Sequence, residues 1–200
     1  MRTFLRTVLV CTVILSATVS VAAAPEISQQ QGDRLQRKIE EIARNGSAAP
    51  VPPRKTIISE TELNSYLNYN IKDKIPRGLT QPHIAMLGNG NLAGRVFVDL
   101  DEFKRQRGSS GIMDPLNYIS GRVPLTARGA LRTKEGRGQF QLASAEIHGV
   151  PIPKPLVQEL VTFFSRTKEN PRGIDIDEPF ALPAKIREIL SAQAQAFVVQ

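Results

Sequence analysis

The pattern of apolar positions divides the chain into segments of different period. Val8 to Ala17 form an apolar run behind Arg2 and Arg6, and small residues continue it to Ala22, Ala23 and Ala24. A basic start, an apolar middle and a small-residue end read as a secretory signal peptide over residues 1–23, cleaved after Ala23. Residues 26–45 then place Leu35, Ile39 and Ile42 four and three apart among charges, which predicts a one-faced amphipathic helix. The stripe is thin, and the segment GSAAPVPPR at 46–54 is too rich in proline for helix. The expectation is a surface appendage on a stiff tether.

A second helix is announced at Ser59, a cap residue with Glu62 three positions on to complete a capping box. Ile58 and Leu63 stand at the two positions of a hydrophobic staple. The helix is predicted to run to about Lys72 with Leu63, Tyr66, Leu67, Tyr69 and Ile71 inward, and to close before Pro76 and Gly78. From residue 82 the period becomes two. HIAMLG, the turn Asn89-Gly90 and NLAGRVFVDLD read as a hairpin with Leu92, Val96, Val98 and Leu100 on one face. A basic loop, KRQRGSSG, precedes a longer strand. Ile119, Val123, Leu125, Ala127 and Leu131 face one way, and Arg122, Thr126, Arg128 and Arg132 the other. After the turn TKEGRG, Phe140 and Leu142 fall on one parity and Ala145 and Ile147 on the other, which predicts a β-bulge near Ser144. Connections this short make the sheet antiparallel.

A proline-entered helix follows at about 155–166. Leu156, Val157, Leu160, Val161, Phe163 and Phe164 give it an apolar face wide enough to be buried. The remainder reads as a short strand over IDIDE, a corner fixed by Pro179 and Pro183, and one final strand from Leu190 to Val198. The small residues of that strand suit close packing of a helix over it. The fold class expected is α+β, one domain over residues 55–200 behind the helix and linker of 24–54.

Composition narrows the chemistry. The 200 residues carry a formal charge of +7. Cleavage would remove two of the 26 basic residues and none of the 19 acidic ones, leaving +5. Cys11, the one cysteine, lies inside the signal, so the exported chain would have neither disulfide nor thiol. His83 and His148 stand far apart and lack zinc-ligand spacing, and they read as strand-end residues. Ser110 in GSSG is loop composition, not a nucleophile elbow, and no phosphate-binding glycine loop is present. The clusters Asp99-Asp101-Glu102 and Asp175-Asp177-Glu178 lack the glycine-centred loop of a calcium site and read as outer faces of strands. Catalysis, a cofactor, a metal and nucleic acid are therefore not expected. The densest basic region is Lys104, Arg105 and Arg107 with Arg122, Arg128, Arg132, Lys134 and Arg137. It reads either as a solvated face or as a contact for anionic headgroups.

The segments ISETELNSYL at 58–67, GRVFVDLD and GRVPLTARGALR, HGVPIPKPLVQEL at 148–160 and DIDEPFALPAKIREI at 175–189 together resemble the tubular lipid-binding (TULIP) superfamily. The small single-domain members of the bacterial cell envelope are the most similar. The resemblance implies a strongly curved antiparallel sheet wrapped on a long buried helix, with an apolar groove for acyl chains. On that expectation Val96, Val98, Leu100, Val123, Leu125, Phe140, Leu142, Leu160 and Phe164 line the groove, and Lys104, Arg105 and Arg107 meet headgroups at its mouth. The partner would be an acyl lipid or a membrane surface, in the periplasm or outside the cell, with residues 4–23 retained as an anchor the alternative to cleavage. The competing reading is a filled-core envelope module that binds a protein or polysaccharide through its arginine face.

Overall fold

The computed structural model describes residues 26–107, 119–168 and 170–200. The signal segment with Cys11, and Ser110 with the second half of the basic loop, lie outside the described residues. Among the described residues the fold is α+β, with four α-helices and antiparallel sheets of three and six strands. In chain order these are α1 (Gln29–Gly46), β1 (Lys55–Ser59), α2 (Glu60–Ser65), β2 (Leu79–Gly88), β3 (Asn91–Asp99), α3 (Leu100–Arg107), β4 (Arg122–Lys134), β5 (Arg137–Ile147), β6 (Val150–Pro151), α4 (Lys154–Ser165), β7 (Phe180–Ala181), β8 (Glu188–Ala192) and β9 (Gln195–Val199). The larger sheet runs β2-β3-β4-β5-β6 with β7 also on β5, and the smaller runs β1-β9-β8.

The meander β2-β3-β4-β5 follows its alternation. Leu92, Val96 and Val98 of β3 stand in register with Gly129, Leu125 and Val123 of β4, and these with Leu142 and Ile147 of β5. They form one continuous inner face. The bulge falls at the parity change: Arg128 pairs with Ser144 but Gly129 with Leu142, leaving Ala143 extra. Helix α4 covers one end of this face with Leu156, Val157, Leu160 and Phe164, which pack on Val98, Val123, Ala145 and Ile147. Phe163 meets Phe103 and Phe164 edge-to-face at centroid distances of 5.1 and 4.9 Å. Only one face of α4 is buried. Glu159 is exposed, and the Lys154 ammonium reaches Asp177 at 2.6 Å.

Several predicted elements are corrected. The strand through Leu100 ends one residue sooner, because the Asp99 carboxylate accepts the N–H groups of Asp101 (3.1 Å) and Glu102 (3.3 Å) and so starts α3. Asp99 is thus a helix cap, Asp101 lies within the helix, and Lys104 to Arg107 are helical rather than loop. The expected strand over 174–178 does not form. The Gln158 carboxamide takes Ile174 O at 2.9 Å and Ile176 N–H at 2.9 Å, the bonds a neighbouring strand would have made, and Asp175 turns the chain by accepting Asp177 N–H. The final strand is two: β8 and β9 fold back through Gln193-Ala194, with Ala194 at φ 58. His83 lies inside β2, and His148 occupies a turn at φ 53.

Helix α1 is no appendage. Leu35 and Ile42 are buried, and Gly32 lets the helix approach so closely that an added Cβ would sit 2.0 Å from Asn70 Oδ1. Lys38 Nζ reaches both Glu62 carboxylate oxygens and Ile57 O at 2.7 Å, and Arg54 pairs with Glu41. Gln200, the last residue, is buried and donates to Ile42 O and Ala184 O. Helix α2 has the full capping box, Glu62 N–H to Ser59 Oγ at 3.1 Å and Ser59 N–H to Glu62 Oε2 at 2.9 Å. It then widens into a single π turn at Tyr66–Asn70 instead of continuing to Lys72. Its most buried residues are the polar Glu62, Asn64 and Ser65, while Tyr69 is exposed.

Asn64 explains that inversion. Its carboxamide donates to Ile84 O at 2.8 Å and accepts Ile84 N–H at 2.7 Å, acting as a strand residue on the open edge of β2. Glu60 Oε2 accepts Met86 N–H at 2.7 Å, and Asn68 donates to Pro82 O at 2.8 Å. Replacing Asn64 by Ala leaves two part-buried backbone groups of Ile84 without their side-chain partner and should cost about 1–3 kcal/mol. Urea unfolding should show that loss, with a smaller one for Asn68→Ala.

The Asp33 carboxyl lies below its ordinary value because Gln29 and then Asn70 donate to it, at 2.7 and 2.9 Å. A lowered folded-state value makes its contribution present above the ordinary aspartate range and lost as the pH falls through and below it. Asp33→Asn should flatten the acid limb of the stability–pH profile by lowering stability slightly near neutrality while leaving it unchanged at low pH, as read by thermal unfolding at stepped pH.

Candidate functional site: an apolar cavity between the sheets

Beyond the reach of α4 the inner face of the large sheet continues through Ile84 and Met86 of β2, Leu92 of β3 and Leu131 of β4. Here the smaller sheet covers it, presenting Ile58, Ile189, Ala196 and Val198, and Leu63 of α2 closes one side. The two faces do not meet. Between them lies a partly open apolar pocket of about 220 Å³, lined among side chains by apolar groups and one hydroxyl, Ser191.

That hydroxyl is committed to the wall. Ser191 Oγ accepts Gly90 N–H at 2.8 Å, and Ser191 O accepts Asn89 N–H at 3.0 Å, so the β2-β3 turn is clasped by β8. Farther along the β2 edge Ala194 N–H donates to Met86 O at 2.9 Å and Glu60 N–H to Ala194 O at 2.8 Å. Thr133 joins β4 to β8 by exchanging both bonds with Ile189, at 2.8 and 2.9 Å. The cavity is therefore framed by satisfied polar groups around an interior with no free partner for water.

The residues expected to line a groove lie elsewhere. Val98, Leu100, Val123, Leu160 and Phe164 are buried in the cluster beneath α4, and Val96, Leu125 and Leu142 pack half-buried against it. The Phe140 ring lies over Gly129, where an added Cβ would come within 2.4 Å of it. None of the nine lines the cavity, though Leu92 and Leu131 extend the same face. Lys104, Arg105 and Arg107 are brought together on α3, at the far end of β3 from Leu92, roughly 23 Å along the strand. Lys104 donates to Ile119 O and Arg105 pairs with Glu102, while the Arg107 side chain lies outside the described part.

Sequence reasoning missed β1 and hence the second wall. The signal was present in Thr56, Ile57 and Ile58, a β-branched run just before the cap at Ser59. Among the described residues no group of three or more His, Cys, Asp or Glu is placed to hold a metal ion. No protein-family model, characterised protein or solved structure matches the chain.

Proposed function

We propose that this is an exported, non-catalytic lipid-binding protein that holds or ferries acyl chains in the cell envelope. On this reading the large sheet curves around α4 as in the tubular lipid-binding superfamily, and the chain end enters the space between the two sheets. The observation that carries it is the cavity: about 220 Å³ bounded by Ile58, Leu63, Ile84, Met86, Leu92, Leu131, Ile189, Ala196 and Val198. At roughly 30 Å³ for a group the size of a water molecule, it admits on the order of seven methylenes. Burying them at about 0.8 kcal/mol each contributes on the order of 6 kcal/mol before the costs of binding. That suits the end of one chain. The rest would lie along the half-buried part of the same face, toward Phe140, Leu142, Leu125 and Val96.

The packed cluster beneath α4 favours the second reading, a filled core with a partner-binding outer face. The two diverge on one substitution. Ala196→Leu adds bulk into the cavity from a buried position on β9. Native mass spectrometry of the mature protein, purified from its own host without detergent, should show an acyl lipid released on denaturation. Ala196→Leu should carry none and bind a fluorescent fatty acid at least about tenfold more weakly, a difference of ~1.4 kcal/mol. Its circular dichroism should match the parent. A bare parent protein that ignores fatty acid, or a variant that binds as well as the parent, would overturn the reading.

A further inference from the structure

The outer face of the large sheet carries a depression of about 310 Å³ that is independent of the cavity, since the sheet lies between them. Register explains its shape. One row across four strands is His83, Arg95, Thr126 and Glu146; the next is Ala85, Ala93, Arg128 and Ser144. The small residues of the second row and Gly94 make the floor, and the long side chains stand around it.

The charges there are unspent. Arg132, farther along the same face, donates to Asn89 O at 2.9 Å. Arg95, Arg128 and Glu146 make no hydrogen bond or ion pair among the described residues. Arg95 and Arg128 are diagonal neighbours on β3 and β4, and Arg128 and Glu146 are diagonal neighbours on β4 and β5, about 7–8 Å apart in each case. Arg95 and Glu146 flank Thr126 from two strands, roughly 10 Å apart. Two arginines on neighbouring strands at one depression can take a phosphate through paired N–H donors. The Thr126 and Ser144 hydroxyls and the His83 ring border the same space. A carboxylate beside that pair repels a bare dianion, and it attracts a cation attached to one.

We propose that this depression binds a small zwitterionic phosphate ester of the phosphoethanolamine class, with Arg95 and Arg128 on the phosphate and Glu146 on the amine. The group can arrive as the headgroup of a bilayer lipid or as a soluble ester. It cannot belong to a lipid whose chain occupies the cavity, because that chain lies on the opposite face of the sheet. The site therefore stands or falls apart from the acyl-binding reading.

The test is calorimetric titration of the mature protein at low salt with glycerophosphoethanolamine and, separately, with inorganic phosphate. The ester should bind at least about tenfold more tightly than phosphate, within the range of charge-assisted hydrogen bonds. Arg95→Gln and Arg128→Gln should each weaken both ligands by roughly tenfold or more. Glu146→Gln should keep phosphate binding and lose the preference for the ester. All three side chains are exposed, so the variants should fold as the parent does. Co-sedimentation with phosphatidylglycerol vesicles, with and without phosphatidylethanolamine, separates the sources. Ethanolamine-dependent capture that Glu146→Gln abolishes assigns the site to a membrane headgroup; binding of the soluble ester without such capture assigns it to a free ligand. Absence of ester binding, arginine variants that titrate like the parent, or an ester preference that survives Glu146→Gln would overturn the proposal.

Discussion

The arrangement of the molecule depends on how the edge of β2 is satisfied. An edge strand offers a row of N–H and C=O groups that must find partners, and here most of them find side chains or a turn instead of another strand. Asn64 serves Ile84 on both sides, Glu60 takes Met86 N–H, and Asn68 takes Pro82 O, so three residues spaced four apart track one strand. The turn at Ala194 completes the row by donating to Met86 O. Because α2 continues directly from β1, fixing α2 to β2 also fixes the smaller sheet over the larger one. The cavity follows from that placement. Leu63 is carried between Glu62 and Asn64, both committed to polar partners, and closes the side of the cavity from there.

The same solution recurs wherever regular pairing stops. Gln158 stands in for a strand beside Ile174 and Ile176, Thr133 for one beside Ile189, and Gln200 ties Ile42 O to Ala184 O. A carboxamide has both a donor and an acceptor and can close the gap a missing peptide would leave. No buried side-chain polar atom among the described residues lacks a partner. The sheets can therefore end, turn and face one another without leaving costly unpaired groups inside.

These bonds also mark how far the fold was legible in the sequence. Local devices were readable because their partners are close along the chain: the Ser59–Glu62 box, the Asn89-Gly90 turn, the parity change beside Ala143, and the proline at the start of α4. The Asp99 cap was equally local and was hidden by alternation, since Leu100 continues the period of β3 while lying in the next helix. The remaining departures came from distance. Asn64 and Gln158 look like ordinary polar positions on amphipathic helices, and nothing near them announces Ile84 or Ile174. The thin stripe of α1 looked exposed for the same reason. Its contacts are with Asn70, Glu62 and Gln200, whose partners on the helix lie 24 to 155 positions away in sequence. Val96, Val98, Val123, Leu125, Phe140 and Leu142 share one face of the sheet, and which part of that face stays unfilled is decided by what lands on it.

Side-chain size explains why the unfilled part lies where it does. At one end of the inner face Phe103, Phe163 and Phe164 interlock in T-shaped pairs against Val98 and Ile147, and bulk fills the volume between helix and sheet. At the other end three of the lining positions are small: Gly90 at the turn, Ser191 on β8, Ala196 on β9. Larger residues there would let the sheets meet. The small ones leave the gap, while Asn64, Ser191 and Thr133 hold the walls apart through bonds whose geometry does not tolerate collapse. Here the walls are tied by directional bonds around apolar side chains.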